Sequence, residues 1–220
     1  MYISRTQYIN HIHEIIAHHD TKILLLHGWR WSWKTTILKQ LMSDTALSQK
    51  KYYFSFDEDV VAKKFKNADD LRWYMQIKYG INFYEHNILL LNEIQYSKNI
   101  ISVSHELIED KEIQTKIIAT GIIQTHQEEY DTLIQSWTTQ TITIHPLSFF
   151  DFLDYKWIHT TYLTIDKPSQ IMFKELQLLL DEYLIWWWYP EVIKANTKDR
   201  KQHNLKAIVQ KVYDKDVWFY

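Results

Sequence analysis

The chain has 220 residues with no cysteine, three glycines and three prolines. Without cysteine there is no disulfide framework and no thiolate zinc site, and a reducing compartment is expected. No apolar run approaches the roughly 18 residues that a membrane-crossing helix needs. Met1-Tyr2-Ile3-Ser4-Arg5 opens no signal-type stretch. A cytoplasmic protein with no membrane partner is therefore expected. Neither sign of charge dominates, with 25 Lys and Arg against 27 Asp and Glu, a net charge of −2. No overall basic field exists to draw nucleic acid, so charge gives a nucleic-acid partner no support. Hydrophobic residues at 46% and charged residues at 24% are ordinary for a globular chain. The glycine shortage is the odd value. About 7% glycine, roughly 15 residues, is usual at this length, yet ten tryptophans outnumber the three glycines.

Helical and strand patterns alternate along the first two thirds. Ile3 to His19 has amphipathic helical spacing. Lys22-Ile-Leu-Leu-Leu-His27 is a short apolar run of the kind buried in a parallel sheet. Lys34 to Met42 places Ile37, Leu38 and Leu41 on one helical face. Lys51 to Phe56, Asn87 to Leu91, Lys116 to Thr120 and Gln140 to His145 read as further strands. Ala68 to Lys78 and Asn99 to Asp110 read as helices, the latter with Ile100, Val103 and Leu107 as its stripe. The alternation predicts an α/β fold with a mostly parallel sheet covered on both faces. After Pro146 the pattern turns helical. Phe149 to Leu153, Ser169 to Tyr183 and Asn204 to Val212 are expected helices, with Ile171, Phe173, Leu176, Leu179 and Leu180 buried. Two domains are expected, 1–145 and a smaller helical one over 146–220. Ending on Val217-Trp-Phe-Tyr220, the sequence reads as a truncated piece.

The first strand runs into Gly28-Trp29-Arg30-Trp31-Ser32-Trp33-Lys34-Thr35-Thr36, and a helix follows. The phosphate-binding P-loop is G-x-x-x-x-G-K-[ST] in this same context. Such a loop aims backbone N–H groups at phosphate oxygens from a helix N-terminus. Its lysine neutralises the β- and γ-phosphates and its hydroxyl holds Mg²⁺. Gly28, Lys34 and Thr35 match, and Trp33 occupies the place of the second glycine. As written, the loop should not take a nucleotide in the usual way. Ile88-Leu-Leu-Leu-Asn92-Glu93 has the form of the acidic strand that supports such a loop, with Asn92 where an Asp normally backs Mg²⁺. Taken alone, that segment reads better as a strand end followed by a solvated glutamate.

With these motifs the sequence resembles the prokaryotic AAA-type P-loop ATPases that carry a C-terminal domain of nuclease-like character. Arg5, Arg30, Phe54-Ser-Phe-Asp57, Leu91-Asn-Glu-Ile-Gln-Tyr96, Ile118-Ala-Thr-Gly121 and Tyr189-Pro-Glu-Val192 resemble segments of that family. Pro146-Leu-Ser-Phe149 with Asp151-Phe-Leu153 resembles its P-L-S-F-x-E-F-L signature, the most specific of these. The resemblance implies a P-loop three-layer sandwich followed by a helical lid, with the family's long C-terminal domain missing. It implies ATP and Mg²⁺ as ligands and assembly with copies of itself. Lys34 and Glu93 would be catalytic, Glu93 orienting the attacking water. Gly28, Trp29, Arg30, Trp31, Ser32, Trp33, Lys34, Thr35 and Thr36 would hold the nucleotide, and Thr35 and Asn92 the metal, Asn92 weakly. Asn92, Ile122 after Gly121, and Thr138 in place of an arginine depart from the family pattern. The alternative is an interaction module that keeps the fold with a degenerate, nucleotide-free site.

The tryptophans fall where these motifs want glycine. Trp33 is on the P-loop glycine, Trp31 on a position often small, and Trp137 on the glycine of a G-R pair. Trp186, Trp187 and Trp188 replace a glycine run. Trp73, Trp157 and Trp218 lie where glycine is tolerable. Some bacterial lineages read UGA as glycine, and translating UGA as tryptophan produces this pattern. Restoring all ten brings glycine near its ordinary content. His11, His13, Glu14, His18 and His19 crowd the first helix, but a zinc H-E-x-x-H needs its second histidine at Ala17. That cluster reads as a polar face. Lys63-Lys-Phe-Lys66 and Lys198-Asp-Arg-Lys201 read as solvated charge.

Overall fold

The short apolar runs become the strands of one sheet. The computed structural model describes residues 5–18, 20–29, 32–57, 65–97, 99–122, 138–158, 169–186, 189–193 and 195–216. The chain divides into two compact units, Ser4–Ile144 and His145–Tyr220.

In the first unit the order is α1 (Thr6–Ala17), β1 (Ile23–His27), α2 (Lys34–Ser43), β2 (Lys50–Ser55), α3 (Ala68–Tyr79) and β3 (Asn87–Asn92). A 3₁₀ turn (Ile94–Tyr96), α4 (Ile100–Glu109), β4 (Lys116–Gly121) and β5 (Thr139–Thr143) follow. The strands lie in the order β2-β3-β4-β1-β5, and every neighbouring pair is parallel. Side chains alternate across the sheet. Ile23, Leu25, Leu89, Leu91, Ile117 and Ala119 pack with Leu71, Met75, Val103 and Leu107 of α3 and α4. Leu24, Leu26, Ile88, Leu90 and Ile118 pack with Ile12 and Ile16 of α1 and Ile37, Leu38 and Leu41 of α2. Both faces are covered, so the central strands are apolar at consecutive positions, as parallel strands usually are. This is the three-layer α/β arrangement expected. Each fully buried leucine contributes about 1.5–3 kcal/mol of transfer free energy.

In the second unit, Ser148 caps α5 (Phe149–Tyr155). Its hydroxyl accepts from the Asp151 N–H at 3.1 Å, and the Asp151 carboxylate accepts from the Ser148 N–H at 2.7 Å. The signature segment from Pro146 to Leu153 therefore has a physical reading. It is a reciprocal cap that seats Leu147, Phe152 and Leu153 in the interior. The helix closes with Trp157 N–H on the Asp154 carbonyl and Ile158 N–H on the Leu153 carbonyl. Those two bonds form a Schellman closure, whose left-handed residue is usually glycine. Here it is Trp157, at φ 61°.

Beyond α5 come α6 (Gln170–Trp186), α7 (Pro190–Ile193) and α8 (Lys198–Asp216). Glu182 of α6 pairs with Lys156 at 2.8 Å and Lys201 at 2.9 Å. Burial pushes its carboxyl pKa up, and the two lysines more than offset that, leaving it below the ordinary value.

Two expectations are corrected here. Ile171, Phe173 and Leu180 are exposed and Leu176 and Leu179 are half-buried, so none of the five belongs to a core. Apolar periodicity marks a helix face but does not establish that anything covers it. The last helix is also longer than Asn204 to Val212. Its first turns are charged, start at Thr197, and carry no apolar period.

Leu90→Ala should destabilise the first unit by about 2–5 kcal/mol in denaturant titration, because Leu90 is fully enclosed. Ile171→Ala should stay within about 0.5 kcal/mol, since Ile171 is 79% exposed. Trp157→Gly should stabilise the second unit by about 1 kcal/mol by relieving the left-handed strain.

Candidate functional site

The carboxyl ends of β1, β2, β3 and β4 converge on one edge of the sheet, the usual place for a ligand in an open α/β fold. The loop from β1 to α2 begins at Gly28. A Cβ there would lie 2.3 Å from the Ile144 carbonyl oxygen just after β5, so no other residue fits. The chain then crosses to α2, whose first residue is Lys34. Trp33 caps that helix at φ 72°, ψ 10°, a left-handed conformation, and is only 3% exposed. Glycine adopts that conformation freely, whereas a Cβ costs about 1–2 kcal/mol.

Lys34 is buried, and its ammonium turns back onto the loop. It donates to the carbonyls of Gly28 at 2.9 Å and Trp29 at 2.6 Å and reaches the Ser32 hydroxyl at 3.3 Å. A positive charge therefore sits at the N-terminus of α2, inside the loop that would enclose an anion. Thr35 lies one residue on, and its hydroxyl donates to Asn92 Oδ1 at 2.9 Å.

Asn92, the last residue of β3, is the node of the site. Its Oδ1 also accepts from the Thr120 hydroxyl of β4 at 2.9 Å. Its Nδ2 donates to Ser55 Oγ of β2 at 2.8 Å, and Ser55 donates onward to Asp57 Oδ1 at 2.6 Å. Parallel register puts Ser55 directly beside Asn92. One carboxamide thus ties α2, β2, β3 and β4 together while itself only 3% exposed.

Glu93 follows in a left-handed conformation at φ 57°, and its N–H faces the Thr120 hydroxyl at 3.3 Å. The Gln95 amide donates to the Glu93 carboxylate, and Gln95 Oε1 accepts from the Ile122 N–H at 3.4 Å. Gly121 makes room for this turn, since a Cβ there would stand 2.8 Å from Ile94 Cγ1. At Ile122 it is the backbone N–H that reaches toward the site.

A family model described as an AAA domain matches residues 20–153, more than half of the chain. The chain belongs to the AAA domain family. Among curated proteins none matches it. Membership brings the nucleotide-binding, ATPase-like character of the AAA domain to the geometry just described.

The structure brings Gly28, Trp29, Ser32, Trp33, Lys34, Thr35, Asn92 and Glu93 to one edge. Thr36 is half-buried in the first turn of α2. Arg30, Trp31 and Trp137 lie outside the described residues. Thr138 stands at the opposite edge, where its carbonyl accepts from the N–H groups of Lys22 and Ile23 at the start of β1. Sequence reasoning placed no role on Ser55, Asp57, Thr120 or Gln95. Each has an ordinary polar side chain; strand register brings Ser55 and Thr120 to Asn92, while local turns bring Asp57 to Ser55 and Gln95 to Glu93.

Oxygen ligands suit Mg²⁺, and the Thr35 hydroxyl oxygen, oriented by its bond to Asn92, is one such group. Among the described residues no group of three or more His, Asp or Glu is placed to hold a metal. His11 and His13 turn instead to Glu14 at 3.4 Å and Asp44 at 2.7 Å. No helix among those residues is long and apolar enough to cross a membrane.

Thr35→Val keeps the shape and removes the hydroxyl from Asn92. It should lower stability by about 1 kcal/mol in denaturant titration, while Thr36→Val should change it less.

Proposed function

We propose that the protein binds ATP with Mg²⁺ at residues 28–36 and hydrolyses it. One observation carries the reading. Lys34 and Thr35 leave the loop side by side, the ammonium folded onto loop carbonyls and the hydroxyl bonded to Asn92. On binding, Lys34 exchanges those carbonyls for β- and γ-phosphate oxygens, while Gly28 and the N–H groups of 29–33 enclose them. Thr35 donates its proton to Asn92, so its oxygen lone pairs remain for the metal. Bound Mg²⁺ supplies charge neutralisation along the β,γ-bridge. Asn92 acts on the metal chiefly by fixing the Thr35 rotamer. Glu93 orients the attacking water once its carboxylate leaves Gln95, and Arg30 contacts phosphate. Residues 1–145 form the nucleotide-binding domain and 146–220 the lid. Assembly with further copies of the chain and a cytoplasmic location complete the reading.

The same reading takes the tryptophans as glycines written through UGA codons. Of the three non-glycine residues at positive φ among those described, two are Trp33 and Trp157. One sits at the P-loop glycine and the other at the left-handed end of a Schellman closure, two unrelated places where backbone geometry favours glycine. Trp29, Trp73 and Trp157 are each at least 66% exposed, so they contribute little to a core. Trp73 is mid-helix, where glycine costs only some tenths of a kcal/mol relative to tryptophan.

The competing reading is an interaction module without nucleotide, favoured by the burial of the Trp33 side chain where phosphate would lie. Mg-ATP affinity decides between them, measured on the chain as written and on a form with glycine at all ten tryptophan positions. The glycine form should bind with Kd between about 1 μM and 1 mM, and the tryptophan form at least about tenfold more weakly. Failure of the glycine form to bind would refute the ATPase reading. UGG codons at 31, 33 and 186–188 in the gene would end the recoding.

A further inference from the structure

The acceptor count at Asn92 leaves the metal side of the site short of negative charge. A carboxamide oxygen has two lone pairs, and both are occupied, by the hydroxyls of Thr35 and Thr120. The other end of the side chain is a donor turned toward Ser55. Position 92 therefore brings neither charge nor a spare acceptor to a metal-bound water. Magnesium bound with phosphates keeps several waters and usually takes one or two carboxylates. At this edge the described carboxylates tied to the polar network are Glu93, engaged by Gln95, and Asp57.

We propose that Asp57, in the turn just after β2, supplies the carboxylate that position 92 lacks and holds a water of the nucleotide-bound Mg²⁺. This rests on the nucleotide reading above. Proton direction along the chain makes Asn92 and Asp57 a matched pair. Asn92 donates to Ser55, so the single Ser55 proton points outward to Asp57. An aspartate at 92 would offer Ser55 an acceptor instead, and Asp57 would lose its donor. Two carboxylates would then flank one hydroxyl proton, and like charges so placed oppose each other. The site carries its acid one strand away, two residues past the end of β2 rather than at the end of β3, with Ser55 as the connector. Asp57 is exposed, as a group reaching a hydrated metal must be. It is a positioning residue, since it acts on the metal through water.

The test is the gain in ATP affinity caused by Mg²⁺, read as the ratio of Kd in EDTA to Kd in saturating Mg²⁺. It uses the full chain with glycine at the ten tryptophan positions. Electron paramagnetic resonance of Mn²⁺-ATP gives a second readout that does not depend on turnover. The unsubstituted form should gain about tenfold, the equivalent of one hydrogen-bonded charge contact. Asp57→Asn should cut the gain to about twofold or less with no change in EDTA, and should alter the Mn²⁺ spectrum. Ser55→Ala should fall between them. Asn92→Asp alone should give no larger gain, whereas Asp57→Asn with Asn92→Asp should recover most of it. Full gain in Asp57→Asn, an increase on Asn92→Asp alone, or no gain in the unsubstituted form would each overturn the proposal. Absence of ATP binding by any form, even in EDTA, would remove the nucleotide reading and this inference with it. Binding in EDTA with an unchanged metal gain would remove this inference alone.

Discussion

A parallel sheet covered on both faces leaves its polar chemistry one outlet, the carboxyl ends of the strands. The interiors of β1, β3 and β4 are committed to packing, Leu24 and Leu26 against one helical layer and Leu25 and Ile23 against the other. The Gly28 loop, Asn92, Ser55 and Thr120 are the first residues released from that commitment. They meet because strand register aligns their ends. The Asn92 carboxamide then converts alignment into attachment, holding α2 to three strands through buried and part-buried hydrogen bonds. Shifting β3 by one residue would turn Asn92 to the other face of the sheet and dissolve the site.

The parts of this architecture set by local periodicity were readable from residues alone. The run Ile23 to Leu26 and the stripe Ile37, Leu38, Leu41 are apolar at the spacing that burial demands, and the structure buries all seven residues. The same logic failed on α6. There Ile171 and Phe173 repeat at helical spacing with solvent beside them, because periodicity reports a face and not its cover. In the site, Gly28, Lys34, Thr35 and Asn92 announced themselves through motif spacing. Ser55 and Thr120 did not, since their importance lies in which strand end they stand beside. Pro146 to Leu153 carries a reciprocal helix cap at Ser148 and Asp151, which the structure makes visible.

Lys34 gives the loop a particular resting state. With its ammonium on the carbonyls of Gly28 and Trp29, the loop is already curved around a cation. On the proposed nucleotide reading, a phosphate would trade one set of oxygens for another around that nitrogen.

The left-handed turn at residue 157 has a reach beyond helix termination. A dihedral angle belongs to the main chain and is set by the hydrogen bonds of its neighbours, Asp154 with 157 and Leu153 with 158. Those two bonds hold it left-handed even with a tryptophan at that place. A left-handed angle at such a closure is thus a demand of the main chain, and the side chain carried there has to bear it.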